Sequence, residues 1–164
     1  TGGANPTPPG EAPKWLGAGQ IGGRAREYLT QRDISREVAD QSGIGLAPRE
    51  IGLLRNYMNT LGFDEKRLVE SGLLVPGDDG SEPRPRFRGR LMFPILDSMG
   101  RNIGFGGRIL GQGEPKYLNS PESPVFTKGK TLYGLNWATH DVRREDQVLV
   151  GEGYLGVRRP GAAG

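Results

Sequence analysis

The sequence predicts an α+β fold in which a small helical layer is followed by a β-hairpin and further mixed structure. Two different hydrophobic periodicities along the chain support this class. In residues 24–72, apolar side chains recur at three- and four-residue spacing, which is typical of short amphipathic helices. In residues 90–110 they alternate with period two, which is typical of paired strands. We expect one modest core, because 28 Gly and 13 Pro among 164 residues leave much of the chain to turns and loops.

Capping residues predict where four short helices begin and end. The first helix is expected to end near Gln31. Ser35 and Asp64 are expected to cap the second and fourth helices, because their side chains can accept hydrogen bonds from first-turn N–H groups. Pro48 is expected in the first turn of the third helix, where a missing N–H is tolerated. Glycines are expected to end the last three helices, since glycine adopts the left-handed conformation readily; they are Gly43, Gly62 and Gly72.

The strands that follow are predicted to pair as a hairpin around a turn at residues 97–100. Pro94 favours an edge or a bulge, because proline cannot donate to a sheet. Residues 111–130 are polar and are interpreted as a loop. A helix is expected around Leu135, and residues 148–150 form a short apolar run that is typical of a buried parallel strand.

Composition limits the class of protein. Residues 1–20 are rich in Gly and Pro and are predicted to form a flexible linker. The chain has no Cys and one His, which excludes a disulfide framework and a Cys/His zinc site within these boundaries. No apolar run resembles a signal peptide or a membrane span, so we expect no membrane partner and a soluble, cytoplasmic protein.

Positive charge is concentrated in one part of the chain. The net charge is only +3, but residues 81–130 carry nine Lys and Arg against four Asp and Glu, a local charge of +5. The remaining residues are mildly acidic, and a basic segment flanked by such residues predicts a surface that faces a polyanion. The alternative is an ordinary solvated charged face.

Four arginines alternate with other residues in RPRFRGR, residues 84–90. In an extended chain they would lie on one face at a spacing of about 6.6 Å, close to the phosphate spacing of an extended single strand. This pattern predicts a row of phosphate-binding guanidinium groups. The alternative is a charged sheet edge that prevents aggregation.

Two further segments could bind nucleotides. GFGGR, residues 104–108, weakly resembles a phosphate-binding glycine loop but lacks the strand-then-helix context. Its glycines are better interpreted as allowing a sharp bend or a close approach of another backbone, with Arg108 left to act. Residues 114–135 combine lysines with Tyr117 and Asn119, a mixture that suits single-stranded nucleic acid. The alternative is a polar loop with Tyr117 and Phe126 packed inward.

One carboxylate is placed where a metal could bind. Glu152 follows the apolar run 148–150 and lies between two glycines. Ligands of open α/β sheets bind beyond the carboxyl ends of strands, so Glu152 is a candidate metal ligand or general base. A single carboxylate does not hold Mg²⁺ alone, and the site therefore needs further ligands.

Four segments together resemble the bacterial replicative DNA primases, in the same order and spacing: RFRGRLMFPI, GRNIGFGGRIL, PKYLNSPESPVFTKGKTLYGL and EGYLGV. The similarity covers roughly residues 24–157. It implies the RNA-polymerase domain of that family, with an N-terminal subdomain at residues 21–146 and the truncated start of a topoisomerase–primase (Toprim) fold at residues 147–164. The family's basic cleft positions would be Arg32, Arg86, Arg88, Arg108, Lys116, Tyr117, Asn119 and Lys128.

The resemblance also implies a reaction and its participants. The family makes RNA primers on a single-stranded DNA template from ribonucleoside triphosphates, using Mg²⁺ or Mn²⁺, and Glu152 matches its first acidic motif. Two features depart from the family: Gly156 stands where Asp is usual, and the later Asp-x-Asp carboxylates are absent. The family's zinc-binding domain and its helicase-interacting domain would lie outside this sequence. Because the later carboxylates are absent from this sequence, we expect this chain alone to be inactive.

Two other functional classes remain open. One is a non-catalytic module that binds single-stranded nucleic acid, which the departure at Gly156 permits. The other is a small-molecule enzyme that uses the glycines of residues 104–108. The second is disfavoured, because no catalytic pair of side chains accompanies those glycines.

Overall fold

A computed structural model describes residues 20–131 and 133, and its elements confirm the α+β class. The described part of the chain contains four α-helices: α1 Gln20–Thr30, α2 Arg36–Gln41, α3 Ile51–Thr60 and α4 Glu65–Glu70. Its strands are β1 Gly45–Leu46, β2 Leu74–Val75, β3 Arg84–Pro85, β4 Arg90–Leu96, β5 Asn102–Ile109 and β6 Tyr117–Asn119. Single turns of 3₁₀-helix lie at Asp78–Gly80 and Lys128–Lys130. No helix among these residues is long and apolar enough to span a membrane.

The main sheet is antiparallel and has the strand order β1-β4-β5-β6. The predicted hairpin is confirmed as β4 and β5, whose connecting turn is held by Asp97. The bulge predicted near Pro94 is also confirmed, because the register shifts between Ile95 and Leu96. Strand β1 pairs only with Leu91 and Met92, so Pro94 lies beyond the stretch of β4 that β1 covers. Strands β2 and β3 form a separate small sheet.

The core lies on both faces of β4, which explains why that strand is buried almost throughout. Leu91 and Phe93 point to one face and pack with residues of α1 and α2 and with residues in or directly before β1: Ala25, Leu29, Ala39, Ile44 and Leu46. Met92 points to the other face and packs with Phe105 and with residues around α3 and α4: Ala47, Leu54, Met58, Leu68, Leu73, Leu74 and Phe87. The helices are therefore divided between the two faces of the sheet.

The predicted caps are confirmed. The Ser35 side chain accepts a hydrogen bond from the Val38 amide at 3.2 Å, and Asp64 accepts one from Arg67 at 2.9 Å. The three helix-ending glycines have positive φ, as the left-handed C-terminal motif requires: Gly43, Gly62 and Gly72. Each is followed by an amide that donates back to the last helical turn, at 2.9, 3.0 and 3.0 Å: Ile44 to Ala39, Phe63 to Met58 and Leu73 to Leu68.

Two local predictions are wrong. Pro48 is not in the first turn of α3, which begins at Ile51; the chain before it is held against β4 by the Ala47 amide, which donates to the Arg90 carbonyl at 2.9 Å. Residues 111–130 are not only loop, because β6 pairs with β5. The helix expected around Leu135, the strand at residues 148–150 and the start of a Toprim fold lie outside the described residues.

Candidate nucleic-acid interface

Arg108 is held between two aromatic rings at the β5–β6 edge of the main sheet. Arg108 and Tyr117 are register partners, so their side chains lie on the same face. The Arg108 guanidinium lies 4.9 Å from the centre of the Tyr117 ring, and its Nη1 donates to the Tyr117 hydroxyl at 2.6 Å. The ring of Tyr28, from α1, lies 5.2 Å away. Stacking and the hydrogen bond together order a side chain that is otherwise flexible.

Arg32 joins the same group of side chains. Its guanidinium lies 5.3 Å from the centre of the Tyr28 ring, close to the end of α1. Both arginines are thus within cation–π distance of one ring. Arg32 and Arg108 therefore meet at the Tyr28 ring, and Arg108 also contacts Tyr117. Of these, Tyr117 is 45% exposed, so the assembly reaches the solvent.

Arg86 and Asn119 also meet, but through the backbone. The Arg86 Nε donates to the Asn119 carbonyl at 2.9 Å, which ties the arginine-rich segment to β6. Partial burial lowers the pKa of the Arg86 guanidinium, which nevertheless stays protonated at neutral pH. Arg88 is exposed, and its Nε lies 3.4 Å from the Arg49 carbonyl. Arg86 is thus anchored by one of its donors, and Arg88 faces the solvent.

The prediction that four arginines share one extended face is wrong. The chain turns at Gly89, which has a φ of +59° and donates its amide to the Ala47 carbonyl at 3.0 Å. Beyond this turn Arg90 is only 5% exposed, and its guanidinium lies 3.5 Å from the Gly107 carbonyl. Burial lowers its pKa as well. Arg90 therefore supports the sheet, while Arg84 and Arg88 are exposed.

The glycines of GFGGR lie within β5 and make room for side chains. The sequence instead predicts that they allow a sharp bend or the approach of another backbone. A Cβ at Gly107 would lie 2.8 Å from the Phe87 ring and 3.2 Å from the Arg90 side chain. A Cβ at Gly104 would lie 3.4 Å from the Phe126 ring. These positions are in a strand and not before a helix, so they do not form a phosphate-binding glycine loop.

The two remaining predicted residues, Lys116 and Lys128, are both exposed. Lys116 is exposed and directly precedes Tyr117, and its carbonyl accepts a hydrogen bond from the Ile109 amide at 3.1 Å. Lys128 is exposed in the last 3₁₀ turn, and its amide donates to the Glu122 carboxylate at 3.1 Å. The alternative for residues 114–135 is a polar loop with both Tyr117 and Phe126 packed inward. It is confirmed for Phe126, which is buried, and wrong for Tyr117, which is exposed.

Glu152, the predicted metal ligand, lies outside the described residues. Within residues 20–131 and 133, no group of three or more His, Cys, Asp or Glu side chains is arranged to hold a metal ion. The described part of the chain thus supplies basic and aromatic groups.

Tyr28 is the residue of this assembly that sequence reasoning missed. The sequence marks it only as one of the positions of the first predicted helix. Its spacing of four residues from Arg32 is a local signal, since such pairs are neighbours on a helix. Its contact with Arg108 carries no local signal, because the two residues belong to distant segments of the chain.

Comparison with known proteins decides the family. A profile described as the DNA primase catalytic core, N-terminal domain, matches residues 18–139. The chain belongs to the DNA primase family. A DNA primase from Pseudomonas putida is 45% identical to it over 133 residues, which is 81% of this chain and 20% of that protein. The chain spans about a fifth of the length of the curated relatives it matches.

Solved primase structures share its fold. The RNA polymerase domain of Mycobacterium tuberculosis primase, in complex with double-stranded DNA, superimposes with a TM-score of 0.82 at 33% identity and covers 92% of this chain and 48% of that one. A DnaG primase catalytic domain bound to single-stranded DNA gives a TM-score of 0.67 at 42% identity, covering 79% of this chain and 40% of that one. The family expected from the sequence is thereby confirmed.

Proposed function

We propose that this chain is the part of a DNA primase catalytic core that holds the single-stranded DNA template, the RNA primer and the incoming ribonucleoside triphosphate. The whole enzyme would transfer nucleotides to a growing RNA primer during DNA replication. The observation that carries the proposal is the ordered Arg108, stacked between Tyr28 and Tyr117 at an accessible sheet edge. An ordered guanidinium beside an exposed aromatic ring offers both contacts that single strands use, with phosphate and with base.

The primase catalytic domain bound to single-stranded DNA supports this choice of ligand, since it is 42% identical to this chain. The charges support it too. The other proposed contacts are exposed or half-buried cations and one amide: Arg32, Arg86, Arg88, Lys116, Asn119 and Lys128. Each cation that meets a phosphate would release counterions, so the affinity should depend strongly on salt.

The proposed ligands of the catalytic metal lie outside the described residues. Glu152 would be one ligand of Mg²⁺ or Mn²⁺, and other carboxylates of the whole enzyme would complete the site. When bound, such a metal stabilises the attacking and leaving oxygens of nucleotidyl transfer. The start of the Toprim fold at residues 147–164, a zinc site in a separate domain, a replicative helicase as partner and a cytoplasmic location are proposed on the same family grounds.

The binding part of the proposal is tested by titrating single-stranded DNA into the purified chain at several salt concentrations. Replacing both Arg86 and Arg88 with Ala should lower the slope of log affinity against log salt by about 1.4, since each phosphate contact on a single strand contributes about 0.7. Lys66→Ala is the matched control, because Lys66 is an exposed lysine of α4 that is not among the proposed contacts. An unchanged slope in the double variant would contradict the assignment of these arginines.

A second candidate function is a non-catalytic module that binds single-stranded nucleic acid. The observation that favours it is Gly156, where an acidic residue is usual in the family. The two candidates are separated by primer synthesis on a single-stranded template with the whole gene product and its Glu152→Gln variant. Primer synthesis that the variant abolishes supports the polymerase, whereas DNA binding without any synthesis by either protein supports the module.

A further inference from the structure

We propose that Tyr28 is a positioning residue whose ring holds the guanidinium groups of Arg32 and Arg108 together for contact with phosphate. The inference rests on the proposed function, because it concerns the same surface. Tyr28 would not touch the nucleic acid. It would act through the two arginines.

The geometry gives Tyr28 two cationic neighbours. The guanidinium carbons of Arg32 and Arg108 lie 5.3 and 5.2 Å from the centre of its ring. The two guanidinium carbons are therefore separated by no more than the sum of these two distances. The ring attracts both cations and so keeps two like charges in one small region of the surface. A phosphate that contacts either guanidinium group would be attracted by both charges, so the arrangement favours an anionic ligand.

The two arginines come from separate segments of the chain that meet at the Tyr28 ring. Arg32 follows α1, and Arg108 lies in β5, so neither backbone by itself determines the distance between the two guanidinium groups. Tyr28 is half-buried and packs against the core cluster that contains Leu91 and Phe93 of β4. Its ring is therefore fixed by the fold, and an arginine that stacks on a fixed ring loses less rotamer freedom when it binds phosphate.

The ring, and not the hydroxyl, is the part that matters. The Tyr28 hydroxyl oxygen is buried and has no hydrogen-bond partner among the described residues. A buried atom of this kind does not reach a ligand on the surface. Removing it should be harmless or slightly favourable, because an unsatisfied buried hydroxyl is destabilising. Tyr28→Phe should therefore preserve binding, and only loss of the aromatic face should weaken it.

The test measures the affinity of the full chain for a single-stranded DNA oligonucleotide at low salt. Tyr28→Leu should weaken binding by roughly threefold to tenfold, and Tyr28→Phe should stay within about twofold of the wild type. Tyr28→Met, which has nearly the volume of Leu but a longer, unbranched side chain, is the second variant without a ring and should behave as Tyr28→Leu does. Tyr57→Leu is the matched control, because Tyr57 packs against the core cluster on the other face of the sheet. It should lower the stability and leave the affinity unchanged.

A mutant cycle with the double variant Arg32→Ala/Arg108→Ala shows whether Tyr28 acts through the two arginines. In the background that lacks both arginines, Tyr28→Leu should change the affinity by no more than about twofold. Equal losses in both backgrounds would overturn the positioning role, as would a Tyr28→Phe variant that is as weak as Tyr28→Leu. If Arg108→Ala weakens binding and neither ringless variant does, this inference alone fails. If Arg108→Ala leaves binding unchanged, the proposed function fails with it.

Discussion

Gly107→Ala tests whether the glycines of GFGGR serve packing. Gly107 has an ordinary extended conformation within β5, so the new methyl group would act only by its volume. It would lie 2.8 Å from the Phe87 ring, a separation that real Cβ atoms essentially never show, and 3.2 Å from the Arg90 side chain. Both neighbours are buried, at 3% and 5% exposure, and have little room to move. Overpacking of this kind costs about 1–3 kcal/mol.

Urea denaturation of the wild type and the variant measures this effect. With a slope of about 1–3 kcal/mol per molar urea, the midpoint of unfolding should fall by roughly 1 M. Gly104→Ala is the matched control in the same strand, because its methyl group would meet Phe126 at 3.4 Å, an ordinary contact distance. It should be clearly less destabilising. If Gly107→Ala unfolds at the wild-type midpoint yet loses affinity for single-stranded DNA, the packing argument is wrong and Gly107 contacts the ligand through its backbone.

Three further predictions concern stability, each measured by urea denaturation. Arg55→Met should cost about 1–2 kcal/mol, because Arg55 donates to the Glu82 carboxylate at 3.0 Å and to the Pro83 carbonyl at 2.6 Å; no loss would mean that these contacts are unimportant. Partial burial alone would raise the pKa of the Asp97 carboxyl, but the hydrogen bonds that it accepts from the following turn outweigh this effect, so its pKa is lowered. The ionised carboxylate therefore stabilises the fold at neutral pH, and this stability should be lost as the pH falls below about 4. The Asp97→Asn variant should lack that acid-dependent loss. Asp33→Gly should stabilise the chain by up to about 1 kcal/mol, because Asp33 has a φ of +57°, and a loss of stability would refute this.

Features that depend on a few neighbouring residues were predicted well. Ser35 caps α2 through an amide three residues away, and Gly43 ends the same helix because its own φ is positive. The turn of the hairpin is equally local, since the Asp97 carboxylate accepts hydrogen bonds from the amides of Met99 and Arg101. The chain itself encodes each of these interactions within one turn.

Features that depend on distant segments were missed. Strand β6 contains only three residues and lies in a polar stretch, so no alternation marks it; it forms because β5 offers it an edge to pair with. The stacking of Tyr28 on Arg108 needs α1 to be packed against one face of β4, and that placement is a property of the whole core. Hydrophobic periodicity predicts the helix but not where the helix packs.

The arginine-rich segment shows why spacing alone overstates the charge that a ligand meets. An unbroken strand over residues 84–90 would expose four guanidinium groups, but Gly89 turns the chain and sends Arg90 into the sheet. Arg86 gives one donor to the Asn119 carbonyl, and Arg90 lies against the Gly107 carbonyl. A buried guanidinium needs such acceptors, because an unpaired charge in the interior is strongly destabilising. Part of the local charge of +5 therefore holds the sheet edge in shape, and only the rest faces a polyanion.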